Sequence, residues 1–515
     1  MNRPTPPPPP GDPRAVDVLI AGAGPTGLML GALLRRLGVD VVLLEPRTGI
    51  DPRTRAVMVH AAALELFDTL GLHEALDARG VRCRRIDFHT PHTERLGGPF
   101  RVDFADLAGD TPFPHYLNVP QPAVEELLEA EFTARGGRIL RGARLARFES
   151  GPHGVDAVAV DAEGAEPRFA ARVLIGADGA GSTVRTALGV DFPGTTYPMS
   201  YLLAEGLPVL DPDPETSAMY VGPGGAVSLL PLPDGQVRVA GPVSATAALD
   251  RETALDPELF RREVDALGHG DALRLARLDR TAHYQVHERL ADTFRVGPVL
   301  LAGDAAHLNS PAGGQAMNTG FGDAWALAWR LAAMLGGAPD TLLDDYARER
   351  RAAAAQVART TAVLPLLTRM READTPAARA AVDEALRGHA AAWSRLYPHH
   401  EPGREGTGPE TVGADLPAPA EHRLRPGARV PGHRPTLGRH TLLHRPGARP
   451  PAGEGPELPP GTLAAALTPG QLARLDRHDP EAVAVLVRPD GHVARLVRAA
   501  RPSTVRTAPA QEAHA

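Results

Sequence analysis

The chain has 515 residues, room for two or three domains and a large buried core. Its net charge of −7 leaves no basic footprint for nucleic acid, and no run reaches the roughly 18 apolar residues that a membrane span needs. All 55 basic residues are arginine, which excludes Schiff-base, phosphate-loop and acid–base chemistry that depends on lysine, and the single cysteine, Cys83, excludes an internal disulfide and a thiolate metal cluster.

Residues 1–14 are Pro-rich and lack an apolar signal-peptide core, so they read as a disordered tail, and a cytoplasmic protein is expected. The apolar run Val16 to Ala21 reads as a buried strand, Leu28 to Leu37 as a helix, and Val39 to Leu44 as a second strand that ends on Glu45. Between the first strand and the helix stands Gly22-Ala-Gly24-Pro25-Thr26-Gly27, a GxGxxG turn. Gly22 permits the tight turn, Gly24 lets the backbone approach a pyrophosphate, and Gly27 lets the helix pack on the strand. The helix N-terminus offers unpaired N–H groups to phosphates. Glu45 follows at the distance, about 20 residues, where a carboxylate takes the ribose hydroxyls of an adenosine. This unit points to a bound dinucleotide.

Further along, Ala56 to Leu70 has helical spacing, with Leu64, Phe67 and Leu70 on one face. Ile86 to Leu117 breaks into short strands and loops, Pro122 to Gly136 reads as a helix, and Ile139 to Val160 as two strands. Ala171 to Leu188 is a second strand–turn–helix containing Gly176-Ala-Asp178-Gly179. From Val190 to His287 short β-like runs, among them Val227 to Pro231 and Val237 to Gly241, suggest a mostly antiparallel domain. Pro298 to Leu335 returns to strand–turn–helix, through Gly303-Asp304 and the loop Pro311 to Asn318, and a long helical region extends to about Tyr397. His399 to Pro460, rich in Pro, Gly, Arg and His, reads as a linker with a weakly folded segment. Two short β runs then flank the turn Arg488-Pro-Asp-Gly491.

Three separated segments, the GxGxxG turn with Glu45, Gly176 to Gly179, and Leu301 to Asp304 with Pro311 to Gly314, resemble the group A FAD-dependent aromatic hydroxylases, which are like para-hydroxybenzoate hydroxylase. The likeness is greatest to the branch that tailors aromatic polyketides. It implies an α/β fold with a discontinuous Rossmann-like, GR2-type FAD-binding domain (15–85, 118–190 and 290–398), an interleaved, mostly antiparallel β-sheet substrate domain (86–117 and 191–289), and a linker with a degenerate thioredoxin-like domain (399–515). It implies that Gly22, Gly24 and Gly27 hold the FAD pyrophosphate, that Glu45 holds the adenosine ribose, and that Pro25, Thr26, Pro46 and Arg47 also bind the cofactor. Arg55, Gln121 and Asp178 fall at cofactor positions, Gly303 and Asp304 at the ribityl chain, and Pro311, Gly313, Gly314, Ala316, Met317 and Asn318 beside the flavin ring. Pro311, Gly313 and Gly314 are the candidate catalytic loop, where a helix N-terminus stabilises negative charge on the reduced flavin. Two residues depart from the family pattern: Ala316 replaces a glycine and Ala62 an arginine.

The resemblance further implies NADPH or NADH as co-substrate, O2, and oxygen transfer from a flavin C4a-hydroperoxide to a small aromatic, polycyclic substrate, most simply as hydroxylation. The protein supplies position, electrostatics and exclusion of water. Tyr201, Tyr220, Arg238 and His89 are the candidate substrate contacts. No metal site is expected: His283 and His287 lie on one face of a strand, and Cys83 reads as inert. A monomer or homodimer is expected. Two alternatives keep the fold, a Baeyer–Villiger oxygenation and a non-catalytic FAD protein that sequesters an aromatic metabolite. Flavin halogenation is excluded by the missing lysine, and a disulfide-type reductase is disfavoured because there is no CxxC motif and no second GxGxxG.

Overall fold

The computed structural model describes residues 13–222, 225–243, 257–266, 270–360, 364–387, 389–394, 429–430, 432–433, 435–446, 459 and 462–498. Most of the Pro-rich tail and most of the linker expected after His399 lie outside the described residues. Among the described residues no helix is long and apolar enough to cross a membrane.

The first strand, Arg14–Ala21, lies at the centre of a parallel sheet. Val41–Glu45 and then Arg138–Arg141 follow on one side, Arg168–Gly176 and then Val299–Leu301 on the other. Val18, Leu19, Ile20, Val41, Val42 and Leu43 have no exposed surface. Such unbroken apolar runs suit strands covered on both faces, because alternation appears only where one face meets water. Helix Pro25–Arg36 packs on helix Gln315–Leu335. The carboxyl ends of three neighbouring strands thus bring together three segments more than 100 residues apart in sequence.

The second sheet has eight strands, ordered His307–Leu308, Leu275–Leu290, Gly194–Pro208, Val237–Val243, Gly225–Pro231, Thr216–Gly222, Arg85–His89 and Phe100–Asp103. All pairs are antiparallel except Thr216–Gly222 with Arg85–His89. Its two faces have different partners. Leu202, Ala204, Val227, Val237 and Val239 pack with Phe260 and Val264 of helix Pro257–Ala266, whereas Val221 and Met219 join the main core.

Several sequence expectations need correction. The helical stretch 56–70 begins with a strand, Met58–Val59, paired to Tyr116–Asn118, and its helix spans Ala61–Thr69. Tyr116–Asn118 also pairs with Val81–Cys83, so this end of the expected substrate segment 86–117 belongs to a three-stranded sheet against the first domain. Residues 138–160 form three strands, Arg138–Arg141, Arg144–Gly151 and Gly154–Val160, because the chain turns at Gly142. The long helical region after 335 is broken into helices Thr341–Thr360, Leu364–Glu372, Pro376–Leu386 and His389–Trp393, the third capped by Thr375 and started by Pro376. Within the supposed weak segment, Thr441–His444 is an inner strand of a four-stranded sheet with Leu463–Ala466, Ala482–Val487 and Val493–Arg498. Leu442 and Leu443 are buried there, a run too short to register against its Arg- and His-rich flanks.

The turn at 488–491 docks this C-terminal unit. Trp325 Nε1 donates to the Pro489 carbonyl at 3.2 Å and Trp329 Nε1 to Asp490 at 3.1 Å. Arg488 bridges Asp490 at 3.0 Å and Glu349 at 2.7 Å, and Arg330 reaches Glu349 at 2.7 Å. Burial opposes the Arg488 charge, but Asp490 and Glu349 outweigh it and raise its pKa. A second contact joins Arg429 to Glu65, and a third joins Arg474 to Asp110 at 2.6 Å. Removing one partner of a buried ion pair strands the other, at a cost of about 3–5 kcal/mol. Arg488→Ala is therefore expected to lower unfolding free energy by that order in urea titration and to open the C-terminal unit to limited proteolysis; unchanged midpoints would contradict the docking role.

Candidate functional site

The site begins where the first strand ends. Gly22 has φ +104, a left-handed conformation that side chains disfavour, and a β-carbon there would overlap the carbonyl oxygen of Ala177. A β-carbon on Gly27 would overlap the carbonyl of Gly22, whereas one on Gly24 would meet no atom within 4 Å. The first and third glycines therefore serve close packing, and the second faces open space. Helix Pro25–Arg36 has no side-chain cap and no acidic residue in its first turn, so its terminal N–H groups and positive dipole end face that space unsatisfied. This is the donor arrangement that a pyrophosphate requires.

Glu45 is 2% exposed. Its carboxylate accepts the Ala23 N–H at 2.9 Å, the Arg47 N–H at 3.1 Å and Arg47 Nε at 2.8 Å. Burial raises its pKa, but these bonds outweigh burial and hold it below the usual range, so Glu45 is ionised. Pro46 is exposed. Asp51 gathers Arg53, Arg47 and Arg55 at 2.7, 3.3 and 3.7 Å, leaving Arg55 with a 57% exposed side chain beside the site. Gln121 accepts the Ala56 N–H at 3.1 Å and donates to Glu125 at 2.7 Å, so it fixes the 55–56 backbone.

Asp178 follows the strand next to Gly22. One of its oxygens accepts the N–H groups of Thr183 and Val184 at 2.7 and 3.1 Å; the other, Oδ1, is buried with no hydrogen-bond partner. The third strand delivers Gly303 and Asp304. A β-carbon on Gly303 would stand 2.6 Å from Thr26 Oγ1, which makes Thr26 the packing link between the two motifs. The Asp304 side chain is exposed, yet enough protein surrounds it for desolvation to raise its pKa against the opposing pull of His307 and Arg55. A carboxylate so placed is suited to accept hydroxyl donors.

Sequence reasoning missed the support beneath this turn. Asp323 is fully buried on helix Gln315–Leu335 and accepts the Gly303 N–H at 3.0 Å, His307 Nε2 at 2.7 Å and Arg350 Nε at 2.7 Å. Burial opposes its charge, but Arg350 and His307 hold its pKa down to about 2. Arg185 links the second motif to the third by donating to the carbonyls of Ala305 and Ala180, each at 2.8 Å. All but the Arg185–Ala180 contact span 15 residues or more, so no local pattern announces them.

The loop Pro311 to Asn318 is also held from afar. Gly313 and Gly314 have φ +71 and +63, and a β-carbon on Gly314 would press on Met58. His60, fully buried, contacts the Gly313 carbonyl through Nε2 at 2.7 Å. Asn318 accepts the His60 N–H at 2.9 Å and donates to the carbonyls of Met58 and Gly314 at 2.9 and 2.8 Å. Met317 is buried, while Pro311 and Ala316 are partly exposed. The helix begins at Gly314 without a side-chain cap. Ala62 lines a cavity of about 60 Å³ with Trp325, Arg350, Arg429 and His492, between the first domain and the C-terminal unit.

The four substrate candidates do not form one cluster. Tyr201 lies opposite Tyr284 with rings 6.2 Å apart. Strand alternation puts Tyr201 on the sheet face of Glu205 and Arg238. Tyr220 packs instead with the cluster under helix Pro257–Ala266, and His89 stacks on it at 4.9 Å. Arg238 also departs from its expected role. It is 3% exposed, pairs with Glu205, and donates to the carbonyls of Thr54 and Arg55 at 2.7 and 3.0 Å. Its donors are occupied, and it ties the second sheet to the loop after Glu45. The side chain of His283 lies outside the described residues.

An uncapped helix N-terminus, a buried ionised carboxylate at the end of the second strand and two further acids at the carboxyl edge of a parallel sheet define a dinucleotide-binding arrangement. The chain matches the FAD binding domain family over residues 15–361, and it belongs to that family. It is 37% identical over 359 residues to the 12-dehydrotetracycline 5-monooxygenase/anhydrotetracycline 6-monooxygenase of Streptomyces rimosus, covering 67% of this chain and 68% of that one. It is 36% identical to the rifampicin monooxygenase of Streptomyces venezuelae, covering 66% and 69%. The ternary complex of aklavinone-11 hydroxylase with FAD and aklavinone superposes with a TM-score of 0.71 at 25% identity, covering 95% of this chain and 97% of the other. The protein is an FAD-dependent monooxygenase.

Two outcomes follow. Asp304→Ala is expected to leave purified protein colourless or weakly yellow, with FAD affinity reduced at least tenfold by fluorescence titration; full occupancy would remove this residue from the site. Asp323 has a folded pKa depressed from 3.8 to about 2, so its stabilisation is complete above pH 4 and is lost as pH falls toward 2. The loss is about 2 kcal/mol, and Asp323→Asn should flatten unfolding free energy over that window; a wild-type pH slope retained in the variant would contradict the network.

Proposed function

We propose that the protein hydroxylates an aromatic, polycyclic polyketide-type compound with NADPH or NADH and O2. The carrying observation is the convergence of Gly22, Asp178 and Gly303–Asp304 on one sheet edge, with the loop 311–318 pinned beside it by His60 and Asn318. The names of the relatives, which act on tetracycline intermediates, rifampicin and aklavinone, support a polycyclic substrate.

When bound, FAD supplies hydride acceptance and oxygen activation; the chain supplies the rest. The N–H groups of Thr26 and Gly27 would take the pyrophosphate, Glu45 the adenosine ribose, and Asp304 the ribityl hydroxyls. The uncapped start of helix Gln315–Leu335, behind Gly313 and Gly314, would stabilise negative charge on a flavin ring held beside this loop. A substrate would lie between this loop and the sheet face that carries Tyr201 and Tyr284, because Arg238 on that same face already reaches the first domain. Burial raises the pKa of Tyr201, so its hydroxyl stays protonated and serves as a hydrogen-bond donor. Tyr220 and His89, on the helix-covered face, act on packing. The four-stranded C-terminal sheet with helix Pro469–His478 supports a thioredoxin-like reading. The chain's one cysteine lies outside it, so it has no dithiol chemistry.

The test is NADPH oxidation and oxygen uptake by the yellow protein against polycyclic phenols and quinones, with product masses. The expected result is substrate-stimulated turnover and gain of one oxygen on a ring carbon. A lactone would replace hydroxylation with Baeyer–Villiger insertion, and a product of unchanged mass would overturn the oxygenase reading. Tyr201→Phe is expected to raise KM several-fold while leaving FAD affinity unchanged.

A further inference from the structure

Outside the flavin site, the fold assembles a group of metal-ligating side chains that sequence spacing did not reveal. His73 and Asp77 stand four residues apart on the short helix His73–Asp77, on one face of a single turn. His115 directly precedes strand Tyr116–Asn118, which pairs with Val81–Cys83 just beyond that helix. The result is two imidazoles and one carboxylate with one ligand atom of each lying within 4.8 Å of the others.

Two observations separate this group from an ordinary surface cluster. His115 is only 8% exposed, and its Nε2 is buried with no hydrogen-bond partner. The Nε2 of His73 is likewise buried and unpartnered. Buried ring nitrogens normally find partners, and two unsatisfied ones beside a carboxylate is the pattern of ligands without their ion. The rings are also held in place: His73 packs on Phe113 at 4.3 Å, and Phe113 meets His115 edge-on at 6.2 Å.

We propose that His73, Asp77 and His115 bind one divalent transition ion of the zinc type, with water completing the coordination. Two imidazole nitrogens and a carboxylate oxygen suit zinc and its neighbours rather than calcium or magnesium, which take oxygen sets. An ion about 2.0–2.2 Å from each ligand needs them about 3.3 Å apart, so binding would draw the three groups, now within 4.8 Å of one another, closer together. Arg82 opposes the ion: it donates to both Asp77 oxygens, at 2.6 and 2.7 Å, and brings a positive charge to the site. Asp77 retains lone pairs for a metal while it accepts these bonds. The bound ion would staple the helix to the three-stranded sheet that carries Met58–Val59, beneath the flavin loop.

The experiment titrates untagged, FAD-loaded protein with Co2+, read by its visible absorption, and then displaces it with Zn2+, with thermal unfolding read alongside. One equivalent bound and a rise in Tm are expected. His115→Gln and His73→Gln should each weaken binding at least tenfold and abolish the Tm rise with the flavin spectrum unchanged. Arg82→Gln should tighten binding several-fold. Wild-type binding no stronger than that of the two histidine variants, or an Arg82→Gln variant that binds no better than wild type, would overturn the proposal.

Discussion

At the carboxyl edge of the parallel sheet the backbone of Gly22 runs so close to the carbonyl of Ala177 that no side chain fits between them. That approach lets the first strand and its neighbour end side by side, with the Ala177 N–H donating to the Ala21 carbonyl at 2.8 Å. The third strand joins in the same way, Ala302 donating to Gly176 at 2.9 Å. The arrangement of the site depends on these three chain ends lying side by side. A side chain at Gly22 would push the end of the first strand away from Ala177 and Asp178.

Electrostatics then holds the edge in shape. Asp323 is a buried anion whose three partners come from the Gly303 turn, from His307 and from helix Thr341–Thr360 through Arg350. A buried ion pair contributes little net stability against an apolar alternative, but breaking it is costly, so such a cluster fixes one arrangement. The same logic recurs twice. Arg238 and Glu205 tie the second sheet to Thr54 and Arg55, and Arg488, Asp490, Glu349 and Arg330 tie the C-terminal unit to the helices behind the flavin loop. With no lysine in the chain, every one of these cations is a planar fork suited to two or three acceptors at once.

The first βαβ unit was legible from sequence because its logic is local: glycine spacing, an apolar run and an acid at a fixed distance. The hairpin at 488–491 was legible for the same reason. The roles of His60, Arg185, Asp323 and Arg350 were not, since each acts on a backbone group that only the fold brings near. Arg238 shows the converse. Its place in a β run suggested a substrate contact, yet the register turns it toward Glu205 and the loop at 54–55. Tyr201 and Tyr220 looked equivalent as aromatic residues of one domain, and strand alternation sends them to opposite faces. Thr441–His444 was hidden by its flanks, because a four-residue strand carries too few positions for a periodic signal.

The most direct measurement is a crystal structure of the protein with FAD bound. One FAD per chain is expected, its pyrophosphate on the N–H groups that open helix Pro25–Arg36, its adenosine ribose on Glu45, its ribityl chain on Asp304, and its ring against the loop from Pro311 to Asn318. A flavin bound elsewhere, or one whose pyrophosphate lies away from Gly24, would contradict this placement.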